Sequence, residues 1–472
     1  MAEASRALLT AEVERLRQQL AERDRLIDQL QRSLLELRQR LDQSERAGKR
    51  QAAPFAKGPP CEHPKTPGRK RGRRHGRHGH RPAPPPEQID EIHEAPLPDA
   101  CPACGGQLHE THLGRQYQTE MPRQPIVRQF NIHCGRCSGC GQPCQGRHAL
   151  QTSDATGAAA SQLGPDAQAA IVYLNKHAGL SHGKIVHALH TLFGITLSRG
   201  AAAQIVLRAG ERLAPAYAAI QAQLKNSPVI TPDETGWRIG GRTVWLHAWV
   251  GADGVTCYHI DPQRGCAALQ RLLGSDWAGT LVHDGWASYD AFEEAGHQQC
   301  QAHVLRRAHE LEETASGRAK TFPRQVIDLF KASLALRDRF AARPPSPARR
   351  QAAHEDFTQR LLDLTENPRA NPANERLAAH LYGHSEHWFQ FLLDPTIPAT
   401  NYQAEQAMRP AVVNRKVWGG NRTPAGAQAQ AITMSVLQTC KQQAVEAFAY
   451  VSQTLCGLIT SLFGPLQALA GR

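Results

Sequence analysis

Short apolar runs separated by turn signals between residues 229 and 300 constrain the fold of this chain more than any other feature. Their length and composition are typical of strands. The predicted strands are 229–231, 243–250, 255–260 and 279–283, with a short fifth strand before Cys300. Glycines at both ends of 251–254 predict a hairpin turn, and 266–273 is predicted to be a helix. The chain is therefore expected to contain an α/β domain.

The order of these elements indicates the class of that domain. Three antiparallel strands followed by a helix and further strands occur in this order in a ribonuclease-H-like core. The core is expected in two parts, 226–303 and 399–440, because residues 304–398 are predicted to form a helical insertion. A Pro-rich segment at 343–347 divides the insertion. Such an insertion can leave and rejoin the core at neighbouring points.

Three acidic residues lie at the ends or starts of these predicted elements. Asp233 follows the first strand, Asp284 follows the fourth, and Glu405 lies in a helix predicted to begin near Asn401. Phosphodiester cleavage with two Mg²⁺ or Mn²⁺ ions about 4 Å apart needs a few carboxylate ligands. We therefore interpret the three acids as catalytic metal ligands. For Glu405 the structural alternative is an ion pair with Arg409, four residues further on.

Basic residues in two places predict contacts with DNA. Arg409, Arg415 and Lys416 follow Glu405 and are expected to hold phosphates, while Pro410 is expected to kink or end the helix. The chain has a net charge of +12, and residues 65–81 contain eight Lys or Arg and no acid. Such a segment gains counterion-release free energy on a phosphate backbone. The DNA-contacting residues predicted there are Arg69, Lys70, Arg71, Arg73 and Arg74.

The region before the core is expected to contain four further parts. Residues 1–47 carry leucine-rich heptads in which nine of ten a and d positions are apolar, so they predict a coiled coil that makes the chain a homo-oligomer. A surface helix is the alternative. Residues 48–90 are expected to be a disordered Pro/Gly linker, 91–150 a zinc-binding module and 151–225 a helical domain. The resulting fold class is multi-domain α/β.

Paired cysteines carry the zinc prediction. Cys101 with Cys104 and Cys137 with Cys140 are two Cys-x-x-Cys-Gly motifs, whose spacing lets two thiolates hold one tetrahedral Zn²⁺. We predict one structural zinc held by these four thiolates. Cys134 forms a competing pair with Cys137, and the spare candidate ligands are Cys144 and His133. Buried or redox-active cysteines are the alternative.

The helical domain 151–225 is expected to contain helices at 167–175, 181–192 and 198–213. Ser181 and Ser198 are suitable N-caps for the last two, and a turn at 193–195 lies between them. This arrangement is consistent with a helix-turn-helix that places Arg199 near a DNA groove, and an ordinary helical hairpin fits equally well. Residues 441–472 are predicted to be helical and too interrupted to span a membrane. The charged, heptad-patterned N-terminus does not look like a signal peptide, so a cytoplasmic protein without membrane partners is expected.

Several of these motifs together resemble the insertion sequence 66 family of bacterial DDE transposases. The resemblance covers most of the chain, and its motifs are Asp233-Glu-Thr-Gly, His283-Asp-Gly, Cys300-x-x-His303-x-x-Arg306-Arg307, Asn401-x-x-x-Glu405-x-x-x-Arg409-Pro and Arg415-Lys416. Tyr402 departs from the family pattern, which has a second asparagine there; this affects one contact and no metal ligand.

The resemblance implies a Mg²⁺-dependent transposase that uses Asp233, Asp284 and Glu405 for two steps. It would cut the ends of an insertion element to release a 3′ hydroxyl and then join that hydroxyl to target DNA. The implied partners are double-stranded DNA, both terminal inverted repeats and target, and companion proteins of the same element. Two rivals remain: a catalytically inactive, zinc-containing DNA-binding regulator derived from a transposase, and a metal nuclease that does not join strands.

Overall fold

The computed structural model describes residues 83–457, apart from 110, 120, 122, 123, 149, 152, 158–161 and 275, together with positions 13–16, 18–20, 22, 23, 27, 29–31 and 33. The chain forms two compact units, Met1–Pro122 and Arg123–Arg472. The described positions between 13 and 33 are helical, and the predicted seam residues among them expose their side chains; these are Val13, Leu16, Leu20, Ile27 and Leu30. The predicted basic segment 65–81 lies outside the described residues.

A small antiparallel hairpin and a mixed five-stranded sheet make up the described β structure of the second unit. The hairpin consists of β1 (Cys134–Arg136) and β2 (Pro143–Gln145). The strands of the large sheet are β3 (Val229–Ile239), β4 (Arg242–Gly251), β5 (Thr256–Asp261), β6 (Thr280–His283) and β7 (Gly296–Gln299). Their order across the sheet is β5-β4-β3-β6-β7. The pairs β3–β4 and β4–β5 are antiparallel, whereas β3–β6 and β6–β7 are parallel.

The hairpin at 251–254 and all five predicted strands are confirmed, but the first strand is longer than expected. β3 continues through Asp233 to Ile239, so the prediction that Asp233 ends the strand is wrong. The reason is the partner strand: β4 pairs with β3 from Ile230 to Ile239 and supplies hydrogen bonds along its whole length. Gly240 and Gly241, with φ of +56° and +83°, form the tight turn between the two strands.

Helices cover both faces of the sheet. The described helices before it are α1 (Pro165–Lys176), α2 (His182–Phe193) and α3 (Arg199–Lys225), and α4 (Ala267–Leu273) lies between β5 and β6. Ser181 and Ser198 cap α2 and α3 as predicted, each accepting a backbone N–H bond on its hydroxyl. α3 extends well beyond the predicted end near Leu213, because it buries apolar residues as far as Leu224.

Residues 301–393 form the helical insertion between β7 and the return to the core. Its helices are α5 (Gln301–Thr314), α6 (Thr321–Ala342), α7 (Pro347–Thr365), α8 (Pro372–Gly383) and α9 (Gln390–Leu393). The predicted Pro-rich break separates α6 from α7, where Ser346 caps the new helix. Aromatic residues such as Phe330, Phe357 and Phe389 fill a core of its own, which also contacts Val229 and Val282 of the sheet.

Three helices follow the insertion, namely α10 (Tyr402–Trp418), α11 (Pro424–Gln442) and α12 (Ala447–Leu455). α10 packs on β3 and β4 through Ala404, Ala407, Met408 and Ala411. Of the two outcomes predicted for Pro410, a kink or an end of the helix, the second is wrong, because buried residues on both sides of the proline hold the two halves against the sheet. On the other face, Ile432, Val436 and Leu437 of α11 share a core with α3. No described helix is long and apolar enough to cross a membrane.

Candidate active site

Asp233 lies within β3, and Asp284 directly follows β6, the parallel neighbour of β3. Val229 pairs with Thr280 and Ile230 with Leu281, and both pairs are separated by 51 positions in sequence. Asp233 and Asp284 are also 51 positions apart, and both follow the paired residues along the same direction of the sheet. Adjacent strands lie about 4.8 Å apart. The sheet therefore brings the first two predicted acids together.

The conformation around Asp284 explains the glycine that follows it. The Asp284 Oδ1 atom accepts the Trp286 N–H at 3.1 Å, which holds the segment in a tight turn after β6. Gly285 has a φ of +88°, and a Cβ there would lie 2.4 Å from the Gln299 Oε1 atom. Only glycine fits this position without a shift of Gln299. Asp284 itself stays exposed.

Glu405 reaches the same region from the first turn of α10. Its half-exposed side chain places Oε1 3.6 Å from the Nε2 atom of His303, at the start of α5. The alternative ion pair between Glu405 and Arg409 does not occur among the described residues, where Glu405 faces His303 instead. The long interval between Asp284 and Glu405 is thus occupied by the insertion, whose two ends lie close together.

The electrostatics of Asp233 show that the three acids are within reach of one another. Burial and, after it, the negative charges of Glu234, Asp284 and Glu405 together raise the pKa of Asp233 to about 7, while the hydrogen bond from the Glu234 N–H opposes them. A carboxyl surrounded by like charges is a common feature of functional sites. Asp284 and Glu405 therefore each lie near enough to Asp233 for their charges to act on it.

Buried polar atoms around the cluster lack hydrogen-bond partners within the described residues. They are the Nε2 and Oε1 atoms of Gln299, the Oδ1 atom of Asn401 and the Nδ1 atom of His303. Carboxylate and amide oxygens together are the ligands that Mg²⁺ and Mn²⁺ prefer, directly or through water. The residues present thus fit a hydrated divalent cation. As they stand, no three described His, Cys, Asp or Glu side chains form a ready-made metal-binding group.

A second acid beside Asp233 has a different role, which the sequence did not indicate. Glu234 accepts bonds from Arg264 at 3.0 Å and from the Tyr289 hydroxyl at 3.1 Å. The Arg264 guanidinium lies against two indole rings, 4.3 Å from the centre of Trp286 and 5.0 Å from that of Trp245. Both oxygens of Glu234 are therefore engaged, which distinguishes it from Asp233. No local motif marks Arg264, since its partners come from other strands and turns.

The predicted phosphate-binding cations divide into two groups. Arg409 and Lys416 are exposed on α10. Arg415 is half-buried and donates to the Thr235 hydroxyl at 3.1 Å and to the Gly236 carbonyl, so its guanidinium fastens α10 to β3. Burial lowers the pKa of Arg415, and nearby Arg238 lowers it further. The five predicted basic residues between 69 and 74 lie outside the described residues.

The two cysteine motifs have the same local geometry. In the first, the Cys101 N–H donates to the Gly106 carbonyl and the Gly105 N–H to the Cys101 carbonyl, at 2.9 and 2.8 Å. In the second, the Cys137 N–H donates to the Gln142 carbonyl and the Gly141 N–H to the Cys137 carbonyl, both at 2.9 Å. Backbone N–H groups lower the pKa of Cys101 and of Cys137. Each motif is therefore preorganised to present thiolates.

Cys134 and Cys144 lie outside the second motif, on the two strands that flank it. They belong to β1 and β2, and Cys137 and Cys140 lie in the loop that joins these strands. Their thiols face the Ile132 and Gln142 carbonyls at 3.8 and 3.7 Å. The repeated loop geometry thus favours Cys137 with Cys140 over the competing pair.

Comparison with known proteins matches the same part of the chain that holds the cluster. A sequence profile of the transposase IS66 family matches residues 160–429, which contain all three acids. The chain is also 24% identical over 299 residues to an uncharacterized protein, y4qI, from Sinorhizobium fredii (strain NBRC 101917 / NGR234). This match covers 57% of the chain and 54% of the relative, so the chain spans about half the length of the curated relative it matches.

Proposed function

This chain belongs to the transposase IS66 family, and we propose that it cuts the ends of an insertion element and joins the freed 3′ hydroxyl to target DNA. The observation that carries the proposal is the convergence of Asp233, Asp284 and Glu405 from two parallel strands and a helix. Like charges close together, with buried amide groups that lack hydrogen-bond partners beside them, lower the stability of the folded protein. A bound cation would remove this penalty.

The metal ions in this proposal are two Mg²⁺ or Mn²⁺ per site, held by Asp233, Asp284 and Glu405. When bound, such ions supply an activated oxygen nucleophile and stabilise charge on the attacking and leaving oxygens of the phosphodiester. Asp233 is half-buried, so its carboxylate is fixed by β3, whereas the exposed Asp284 can adjust to the DNA strand. Arg409 and Lys416, exposed on α10, would contact the phosphates on either side of the cut.

We further propose that the core is ribonuclease-H-like. The sheet order β5-β4-β3-β6-β7, with an antiparallel β3–β4–β5 meander and parallel β6 and β7, supports this proposal. In that arrangement the first acid lies on the central strand, the second after its parallel neighbour and the third on a helix over the sheet. Asp233, Asp284 and Glu405 have these positions.

Regions outside the core would bind the DNA and assemble the complex. Residues 65–81 contain eight Lys or Arg and no acid, a composition suited to double-stranded DNA, whether element ends or target. The helical pair α2–α3 offers Arg199 at an exposed helix start. The exposed apolar seam between Val13 and Leu30 supports a coiled-coil homo-oligomer. Companion proteins of the same element would join this assembly, which works in the cytoplasm at the nucleoid.

Strand cleavage in the purified protein tests the catalytic proposal. The substrate is a supercoiled plasmid that carries the complete element encoding this chain. Glu405→Gln should abolish Mg²⁺-dependent nicking while DNA binding and thermal melting stay unchanged, and Asp290→Asn, an exposed acid on the turn after Asp284, serves as the control. Full cleavage by Glu405→Gln would remove this residue from the chemistry.

The products separate the rival functions. Joined element–target DNA supports a transposase, cleaved but never joined DNA indicates a metal nuclease, and DNA binding without cleavage indicates a regulator derived from a transposase. The presence of all three acids favours an enzyme over the regulator, and only the joined product separates a transposase from a nuclease, which would share the same site.

A structural zinc is proposed from the repeated cysteine loops, each of which would supply two thiolates, Cys101 with Cys104 and Cys137 with Cys140. Metal analysis of protein purified without chelator should find about one zinc per chain. Cys140→Ser should lower that content, whereas Cys144→Ser should not. Equal zinc loss in both variants would favour a different ligand set, and absence of zinc from the wild type would refute the site.

A further inference from the structure

The place where the helical insertion leaves the sheet is bonded to the place where it returns. The Gln301 N–H donates to the Ala399 carbonyl at 3.0 Å, and the Asn401 N–H donates to the Cys300 Sγ atom at 3.3 Å. Cys300 and Asn401 expose 1% and 3% of their surface, so both bonds lie in the protein interior. The start of α5 is thereby attached to the start of α10.

The spacing of Cys300 and His303 directs both side chains at α10. Cys300 holds the N-cap position of α5 and His303 lies three residues later, so the two occupy the same side of its first turn. Cys300 contacts Asn401, which precedes α10, and His303 contacts Glu405, one turn into that helix. The two residues of the Cys-x-x-His motif, about one helical turn apart, therefore contact the two residues of the Asn-x-x-x-Glu motif, which are also about one turn apart.

A metal site built on Cys300 and His303 is the competing interpretation, and the surroundings of the thiol disfavour it. The Cys300 sulfur already accepts the Asn401 N–H, and burial raises the pKa of the thiol. Metal coordination requires the thiolate. Among the described residues, no third His, Cys, Asp or Glu completes a metal-binding group with them.

We propose that Cys300 and His303 are positioning residues for Glu405: Cys300 fixes the start of α10, and His303 fixes the direction of the Glu405 carboxylate. The inference rests on the proposed role of Glu405 as a metal ligand. A half-exposed glutamate on a helix has several side-chain rotamers, and a fixed partner reduces that freedom before a metal arrives. His303 acts through Glu405 and does not touch the DNA.

Substitutions at His303 test the carboxylate contact in the full-length protein. His303→Ala should lower kcat for plasmid cleavage by about 10- to 100-fold and raise the Mg²⁺ concentration for half-maximal activity, with KM for DNA unchanged. His303→Gln, whose amide nitrogen can occupy the place of Nε2, should restore most of the loss. The matched control is His309→Ala, since His309 lies on the same helix, is exposed and pairs with Glu312.

Substitutions at Cys300 test the attachment of the two helices. Cys300→Ala removes the acceptor of the Asn401 N–H, whereas Cys300→Ser keeps one. We expect Ser to retain more activity than Ala, and Cys440→Ala, at a buried free cysteine of α11, to cleave like the wild type. Mg²⁺-induced thermal stabilisation provides a second readout that does not depend on turnover; it should shrink for His303→Ala and Cys300→Ala alone.

The outcomes separate this inference from the proposed function. If the wild type cleaves DNA and His303→Ala has the same kcat and the same Mg²⁺ requirement, the positioning role is overturned and the proposed function is not. Loss of activity that tracks a fall in melting temperature, without rescue by Gln or Ser, also overturns it. A wild type that neither cleaves DNA nor gains stability from Mg²⁺ refutes the proposed function and this inference with it.

Discussion

Asp233 of β3 lies near the first turn of helix α10, and Lys176 of α1 lies near its last turn. Burial shifts the pKa of both side chains, but the groups that surround them differ. Near its first turn, burial and three neighbouring carboxylates raise the pKa of Asp233 to about 7. Near its last turn, burial lowers the pKa of Lys176 to about 7; its Nζ atom donates to the Gln430 Oε1 at 2.5 Å and lies 5.2 Å from the Trp418 ring centre.

Burial alone therefore does not identify a functional site in this protein. Lys176 lies among neutral groups, and its amine can lose a proton to avoid the cost of a buried charge. Asp233 faces acids of its own sign, and a divalent cation relieves that repulsion for all three at once. The like-charge neighbourhood, rather than the shifted pKa, marks the candidate catalytic site.

The largest expected difference between the two ends is catalytic. Asp233→Asn should lower kcat for plasmid cleavage by at least about 100-fold, because removal of one group that stabilises developing charge costs about 10²–10³-fold. Lys176→Met, on α1 beside the other end of α10, should leave cleavage unchanged. Initial rates of plasmid nicking at saturating Mg²⁺ measure both.

The same pair of variants can break the comparison. Equal losses of cleavage activity in the two variants would mean that both residues act only by holding α10 in position. The acids would then have no catalytic role of their own. Asp290→Asn provides the control for loss of a nearby exposed charge.

The second effect is on stability at the lysine end. The unfolded chain protonates Lys176 near pH 10.4 and the folded chain near pH 7, so stability falls as the pH drops through this window and stays low beneath it. Each pKa unit corresponds to about 1.4 kcal/mol, so Lys176→Met should raise the free energy of unfolding at pH 7 by up to roughly 5 kcal/mol. Urea unfolding at pH 7 and pH 10 measures it, with the exposed Lys441→Met as control.

The third effect has the opposite dependence on pH. Since the folded pKa of Asp233 is raised, its stability contribution is complete below pH 4 and is lost as the pH rises to about 7. In metal-free buffer at pH 8, Asp233→Asn should therefore stabilise the protein, by up to roughly 4 kcal/mol. Added Mg²⁺ should raise the melting temperature of the wild type and not that of the variant. A wild type indifferent to Mg²⁺ would contradict the metal site.

Local patterns predicted the elements around Asp233 and Glu405 because each element is specified by its own residues. Alternating apolar residues and glycine turns gave β4 and β6, and the hydroxyls of Ser181 and Ser198 marked two helix starts. The convergence of the acids at one metal site stays a prediction, based on strand ends and a helix start as places where a scaffold holds functional groups.

Features that depend on partners distant in sequence were not predictable. Residues 235–239 lie beyond the predicted first strand and belong to β3 because β4 pairs with them. The predicted helix 167–175 ends one residue before Lys176, and no local signal shows that α10 and α11 contact this lysine. Arg264 gave no signal either, since Glu234, Trp245 and Trp286 come together only in the folded sheet.

The smallest expected effect is on stability and comes from a new charge beside Lys176. It tests whether the charge of the neighbouring groups is all that distinguishes Lys176 from Asp233. Gln430→Glu keeps the shape of the acceptor and places a carboxylate beside the Nζ atom, so the pKa of Lys176 should rise towards its ordinary value. The net change in stability at pH 7 should be about 1 kcal/mol, because desolvation of the pair offsets most of its attraction. The loss of stability between pH 10 and pH 7 should nevertheless become shallower. An unchanged slope would mean that burial, and not the absence of an opposite charge, controls this lysine. The two ends of α10 would then differ in desolvation as well as in the sign of their neighbours.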